Sequence, residues 1–222
     1  MPMEQLDFEV GDETYEGRFV TPPAGDGDTC VVVVPGAGHG PFGNIFDIAA
    51  YELANAGVAS FRYESWTDGD ELDAKTLAEL HRELQAAVDH AVDRGYDHVS
   101  LLVKSFGGRV AFTALPDAVE RVLGWAPAVV FADESALDDQ REVPLGDLED
   151  GLAIAPEDVA DVDVPVTLLY GDEDHFYPEH AEALADALPD AELRVLPGEN
   201  HSFNEGRRLV AAETVAALAA GR

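Results

Sequence analysis

Ser100-Leu101-Leu102-Val103-Lys104-Ser105-Phe106-Gly107-Gly108-Arg109-Val110-Ala111-Phe112 is an apolar run that breaks at one serine and resumes with helical spacing. Val99 to Val103 is short, apolar and rich in branched side chains, which suits a strand buried on both faces of a parallel sheet. Gly107 and Gly108 leave room for close packing behind the break. A sharp strand-to-helix turn would strain Ser105, lift its hydroxyl above the sheet and set it beside the unpaired N–H groups of a helix start. Such a turn can make a serine a nucleophile. The usual spacing, G-x-S-x-G, is met only in part, because Val103 stands where the first glycine would be. A serine that merely caps a helix is the competing reading, and this stretch alone leaves both open.

Upstream, Thr29 to Val34 is a second continuous branched run. It ends in Pro35-Gly36-Ala37-Gly38-His39-Gly40, and helical spacing follows through Ile45, Ile48, Ala49 and Leu53. Glycines directly after a buried strand let the backbone approach a ligand and turn N–H groups inward. The lysine-bearing phosphate-loop pattern is absent, whereas an oxyanion loop needs only a backbone donor or two. A plain connecting turn stays open beside it.

Bulk composition narrows the classes. The 222 residues, 46% of them hydrophobic, suffice for one substantial core, so a single domain over 1–222 is expected. Neither a signal peptide nor a membrane span is legible, and the single Cys30 excludes an intramolecular disulfide. A cytoplasmic location is the expectation. Asp and Glu number 45 against 13 Lys and Arg, a formal net charge of -32, and Lys75 and Lys104 are the only lysines. The acids are spread among periodic apolar segments, which favours a solvated acidic surface on a folded chain over disorder. Halophiles use this balance, so a salt-rich cytoplasm is inferred. Nucleic acid and anionic membranes are excluded as partners, since both need clustered Lys and Arg.

The remaining chain alternates strands and helices. Leu6 to Val10 and Tyr15 to Val20 alternate in polarity around Gly11-Asp12, as an antiparallel hairpin at a sheet edge would. Val58 to Tyr63 is a strand, and a long amphipathic helix opens at Asp73 and ends at Gly95. Val119 to Trp125, Val164 to Tyr170 and Leu193 to Leu196 are further strands, with helices over Glu179 to Leu188 and Glu205 to Ala220. The pattern weakens over 128–163, read as an excursion or small cap. The fold class is α/β, a doubly wound and mostly parallel sheet with an N-terminal antiparallel hairpin.

Three expected strand ends carry Ser105, Asp174 and His201, in that order. A serine hydroxyl needs an imidazole to take its proton, and the imidazole needs a carboxylate to hold its tautomer. Open parallel sheets bind ligands at their strand C-termini, and Ser, Asp, His is an order this fold type uses.

On these residues the chain resembles the alpha/beta hydrolases over nearly its whole length. Lys104-Ser105-Phe106-Gly107-Gly108-Arg109 is similar to the K-S-x-G-G-R elbow of one hydrolase-like branch, and the small build resembles the dienelactone-hydrolase group. Gly171, Asp174 and Pro178 match the G-x-x-D pattern of the family's acid, and Gly198 and His201 match the G-x-x-H pattern of its base. The resemblance implies acyl transfer to Ser105, usually hydrolytic, with no cofactor and no metal, and oxyanion donors at the N–H groups of Ala37 and Phe106. Two departures stand out: Val103 before the elbow, and Pro35 where the family's common turn has histidine. Dienelactone hydrolases also use a cysteine nucleophile, absent here.

Asp172 competes with Asp174 for the acid, and a metal held by Asp172, Asp174 and His175 is outweighed by a solvated acidic loop. His39, Trp66, Trp125, Phe176 and Tyr177 lie near expected strand ends as candidates for an acyl pocket. The expected function is a serine hydrolase acting on a small ester or related acyl compound. The alternative is a hydrolase-like scaffold that binds a ligand or partner protein without chemistry. Substrate identity and oligomeric state are not legible in the sequence.

Overall fold

The computed structural model describes residues 3–25, 27–38 and 40–219. β1 (Met3–Val10) and β2 (Glu13–Val20) form the expected hairpin, with Val10 opposite Glu13 and Gly11 in the left-handed conformation at the turn. β3 (Thr29–Val34) is buried at every residue and leads into α1 (Asn44–Asn55). β4 (Ala59–Tyr63) and a short α2 (Gly69–Asp73) precede α3 (Leu77–Asp93). β5 (His98–Lys104) and α4 (Gly107–Thr113) carry the serine, and β6 (Val119–Trp125) and α5 (Leu137–Gln140) follow. β7 (Val166–Gly171), α6 (Glu179–Ala187), β8 (Ala191–Leu196) and α7 (Arg207–Ala219) complete the described chain.

The eight strands make one sheet in the order β1-β2-β4-β3-β5-β6-β7-β8. β1, β2 and β4 pair antiparallel, and every pairing from β4 through β3 to β8 is parallel. Strand order reverses at β3, since the chain steps out to β4 and then returns across β3 to β5. A crevice therefore opens at the C-terminal ends of β3 and β5. The loop after β3 holds the glycine run, and Ser105 follows β5.

α1 packs on α7, while α3 and α4 pack together against the central strands. Under α3, Phe61 stacks on Phe19 with centroids 4.9 Å apart and meets Phe8 edge-on at 5.2 Å. Buried aromatic pairs of this kind add about 0.5–1.5 kcal/mol beyond their area. They also fix the register of the hairpin against β4, because a one-residue slip would turn Phe8 and Phe19 out to solvent. Among the described residues no helix is long and apolar enough to cross a membrane.

One expectation needs correction. The long helix opens at Leu77, not Asp73: Thr76 and Glu79 form a reciprocal capping box, and Asp73 instead ends α2. The 128–163 segment, read as an excursion or small cap, is tied to the start of α3 and the residue before its cap. Arg141 O accepts from Ala78 N–H, Lys75 O accepts from Leu145 N–H, and Leu137, Leu152, Ile154 and Val159 are buried in the core.

Candidate active site

The elbow has the strain that the sequence suggests. Ser105 has φ 50°, a left-handed conformation costly for a residue with a side chain. Its N–H donates to Trp125 O at 3.1 Å, and its carbonyl accepts from Gly108 at 3.0 Å and Ala128 at 2.9 Å. These bonds tie the serine to β6 and hold it at the turn. Gly107 is required by close approach, because a Cβ there would lie 2.6 Å from Val34 O and 2.7 Å from Pro35 O. Val103 is buried within β5 between Val34 and Gly124, so the missing glycine of the usual pattern does not prevent the turn.

Ser105, Asp174 and His201, far apart in sequence, meet at this end of the sheet. His201 Nε2 lies 2.9 Å from Ser105 Oγ, and His201 Nδ1 lies 3.0 Å from Asp174 Oδ2. Asp174 Oδ1 accepts the Phe176 N–H at 2.9 Å, and its side chain is closed to solvent. Burial pushes the Asp174 pKa up. The bonds from His201 and Phe176, with the charges of His201 and Lys104, outweigh that and leave the carboxyl below its usual value. Asp174 is thus an anion hydrogen-bonded to the His201 imidazole. Asp172 is engaged elsewhere, since its Oδ1 accepts the Gly198 N–H at 2.6 Å and ties the β7 loop to the β8 loop.

Gly36 passes so close to the elbow that a Cβ on it would lie 3.0 Å from Ser105 Cβ. Among the described residues the N–H groups of Ala37 and Phe106 have no acceptor. Gly38, Gly40 and Gly43 have the G-x-G-x-x-G spacing of a dinucleotide loop, but β3 ends at Val34, well before the first of them. In that fingerprint the first glycine makes the tight turn directly after the strand.

A cavity of about 340 Å³ opens over Ser105 and His201. Its walls are the glycine loop, Phe42, Ile45 and Phe46 on one side and Lys104, Ser202, Asn204 and Arg207 on the other. Four of the expected pocket residues lie elsewhere. Trp125 is fully buried in the core, its Nε1 donating to Thr214 Oγ1 at 3.0 Å, with Phe46 and Phe203 against its ring. Trp66 is buried edge-on against Phe106, with Nε1 3.4 Å from Gly36 O. Phe176 packs on the His201 ring at 5.3 Å without lining the cavity, nor does Tyr177 line it. His39 lies outside the described residues. The aromatic wall comes instead from Phe42 and Phe46, which sequence reasoning does not single out. Their place between a glycine loop and a helix start is the signal that marks them.

Among the described residues one set of metal-type donors converges, Asp174, His175 and His201, within 4.8 Å of one another. It overlaps the relay itself, and both oxygens of the Asp174 carboxylate already accept hydrogen bonds. The arrangement suits proton transfer better than metal binding.

Comparison with known proteins gives one family and many folds of the same kind. Residues 59–221 match the dienelactone hydrolase family. A search of curated proteins finds no match to the sequence. Among solved structures, a dienelactone hydrolase from Anabaena variabilis superposes with a TM-score of 0.73 at 21% identity, covering 97% of this chain and 96% of that one. Est1E from Butyrivibrio proteoclasticus gives 0.71 at 16% identity, covering 95% of each chain. XC6422 from Xanthomonas campestris, described as an alpha/beta serine hydrolase without lid, gives 0.70 at 15%, covering 97% and 93%. At these identities the likeness establishes the alpha/beta hydrolase fold.

Proposed function

Because the chain belongs to the dienelactone hydrolase family, we propose that it hydrolyses a small ester or related acyl compound through an acyl-enzyme on Ser105. The observation that carries this reading is the unbroken relay from Asp174 through His201 to the Ser105 hydroxyl. Ser105 Oγ attacks the acyl carbonyl carbon as His201 Nε2 takes its proton. The N–H groups of Ala37 and Phe106 receive the negative charge that develops on the carbonyl oxygen. The imidazolium then returns the proton to the leaving oxygen. A water, deprotonated by the same nitrogen, attacks the acyl carbon; the acyl–Oγ bond breaks, the acid leaves, and the proton passes from His201 to Ser105 Oγ. Asp174 stays ionised and stabilises the imidazolium at each step. The cavity volume suits a small-molecule acyl group, and the serine sets this chain apart from family members that use cysteine. The K-S-x-G-G-R elbow points to the hydrolase-like branch that shares it.

A fluorophosphonate probe tests the reading. Incubated with the folded protein in molar salt, it should add one phosphonyl group per chain by intact mass. Ser105→Ala and His201→Ala should stay unmodified, since labelling needs both the hydroxyl and its base. A folded parent that stays unlabelled would remove the hydrolase reading and leave a ligand-binding scaffold in its place.

The net charge of -32 carries a second proposal, adaptation to a salt-rich cytoplasm. At 0.01 M salt the screening length is about 30 Å, so acids repel across the whole molecule, whereas at 1 M it is about 3 Å. The melting temperature is expected to rise by roughly 10 °C or more from dilute buffer to molar KCl, equivalent to about 3 kcal/mol or more for a chain of this size. Equal midpoints in the two buffers would overturn the adaptation.

A further inference from the structure

Lys104 is an anomaly in this chain. It is one of two lysines among 45 acids, yet it sits in the interior, 9% exposed, at the residue before the serine. Among the described residues it makes no contact ion pair, and Asp174 acts on it through space. Its ammonium instead donates to the main-chain carbonyl of His201 at 2.7 Å and lies 5.5 Å from the centre of the Phe203 ring. Phe203 is fully buried with φ 53°, so the chain just after the histidine is held in a strained turn. Burying an ammonium is expensive, and a surface acid would have been an easy partner in so acidic a protein. The position spends that cost on one carbonyl of the loop that carries the base.

We propose that Lys104 is a positioning residue: its ammonium clamps the β8–α7 loop to the end of β5 and so holds His201 Nε2 in hydrogen-bond reach of Ser105. This rests on the serine-hydrolase reading above. The relay has two loops to align. Asp174 fixes the imidazole about its ring, but the main chain of His201 must also be fixed relative to β5, which bears the nucleophile. Among the described residues Lys104 is the side chain that joins those two backbones directly. A charge-assisted bond to a carbonyl is roughly twice as strong as a neutral one, so the clamp is tightest when the amine is protonated.

Burial pushes the Lys104 pKa down to about 8, with Asp174 pulling the other way, so the clamp weakens within an accessible range. Among the described residues the charged and titratable groups around the amine are few. They are Asp174 from the β7–α6 loop, His201 from the β8–α7 loop and Arg207 at the start of α7, while α1 contributes only Asn44, Ile45 and Phe46 to the shared cavity.

The test uses the full chain in molar salt, with the rate of fluorophosphonate labelling at Ser105 and the hydrolysis of p-nitrophenyl acetate followed from pH 6.5 to 9.5. Labelling of the parent at pH 7 is read first, because its absence would count against the hydrolase reading itself. Lys104→Met is expected to fall up to about 10²-fold at pH 7, the scale of a displaced catalytic group, in kcat with KM unchanged. Lys104→Gln keeps a neutral donor and should fall less. The parent should lose its advantage above pH 8 and approach Lys104→Met, while neither variant shows that alkaline limb. Lys104→Met matching the parent at pH 7, or the same limb in Lys104→Gln as in the parent, would overturn the proposal. If Lys104→Met does not fold, the comparison of parent with Lys104→Gln across pH decides alone.

Discussion

Ser105→Ala is expected to lower p-nitrophenyl acetate turnover by about 10⁶-fold, and His201→Ala by about the same amount. The double variant should be no worse than either, because hydroxyl and base act as one unit: removing either leaves no route to an alkoxide at neutral pH. The geometry makes this sharp, with a single bond of 2.9 Å between Nε2 and Oγ. Folding should survive both changes. Among the described residues the Ser105 hydroxyl meets only His201 Nε2, and the bonds that shape the elbow run through its main chain. Turnover and melting temperature measured on the same preparations separate the two effects. Ser105→Ala with a tenth of the parent activity would move the nucleophile elsewhere, and multiplicative losses in the double variant would show that the two residues do not act together.

Asp174→Asn should cost about 10⁴-fold, as loss of the orienting acid does in a well-studied serine protease. The hydrogen bonds explain why a near-isosteric change is so damaging. The Phe176 N–H needs an acceptor at Oδ1, so the asparagine oxygen will take that place and present its NH₂ to His201 Nδ1. That nitrogen must then accept, the proton moves to Nε2, and Nε2 can no longer take a proton from Ser105. Asp172→Asn, by contrast, keeps an oxygen for the Gly198 N–H and should change turnover less than about threefold, within the small effect of an exposed hydrogen bond. Steady-state kinetics of the two single variants suffices. The reverse ranking would transfer the acid to Asp172 and leave the fold untouched.

The two acids differ by tertiary surroundings alone. Both sit in the loop between β7 and α6, and both carry the same side chain. Asp174 becomes the partner of His201 because the turn folds its carboxylate inward onto Phe176 N–H, while Asp172 points at the neighbouring loop. Gly171 helps set this turn: a Cβ there would lie 1.9 Å from Glu199 O, so the β7 and β8 loops press backbone on backbone at the head of the acid loop.

Most of the architecture follows from periodicity and turn chemistry in the sequence, because strands such as Thr29–Val34 and Val166–Gly171 are continuous apolar runs that suit only a sheet covered on both faces. The order Ser, Asp, His at strand ends is readable for the same reason, since Asp174 and His201 follow runs whose ends are marked by Gly171 and Gly198, and Ser105 stands at the break of the Val99 to Val103 run. The start of α3 is also within reach, as Thr76-Leu77-Ala78-Glu79 is a capping box in plain sequence. Directions and distances, by contrast, arise only from packing. A place at a strand end suggests a pocket residue for Trp125, but a strand alternates its faces, and this one faces α7, where Thr214 takes its N–H. Phe42 and Phe46 line the cavity because α1 starts beside the crevice at β3 and β5, a consequence of strand order that no local pattern carries. Lys104 is the clearest case: spacing places it before the nucleophile, but its burial and its bond to His201 O, 97 residues away, depend on two loops brought together by the packing of β5 through β8.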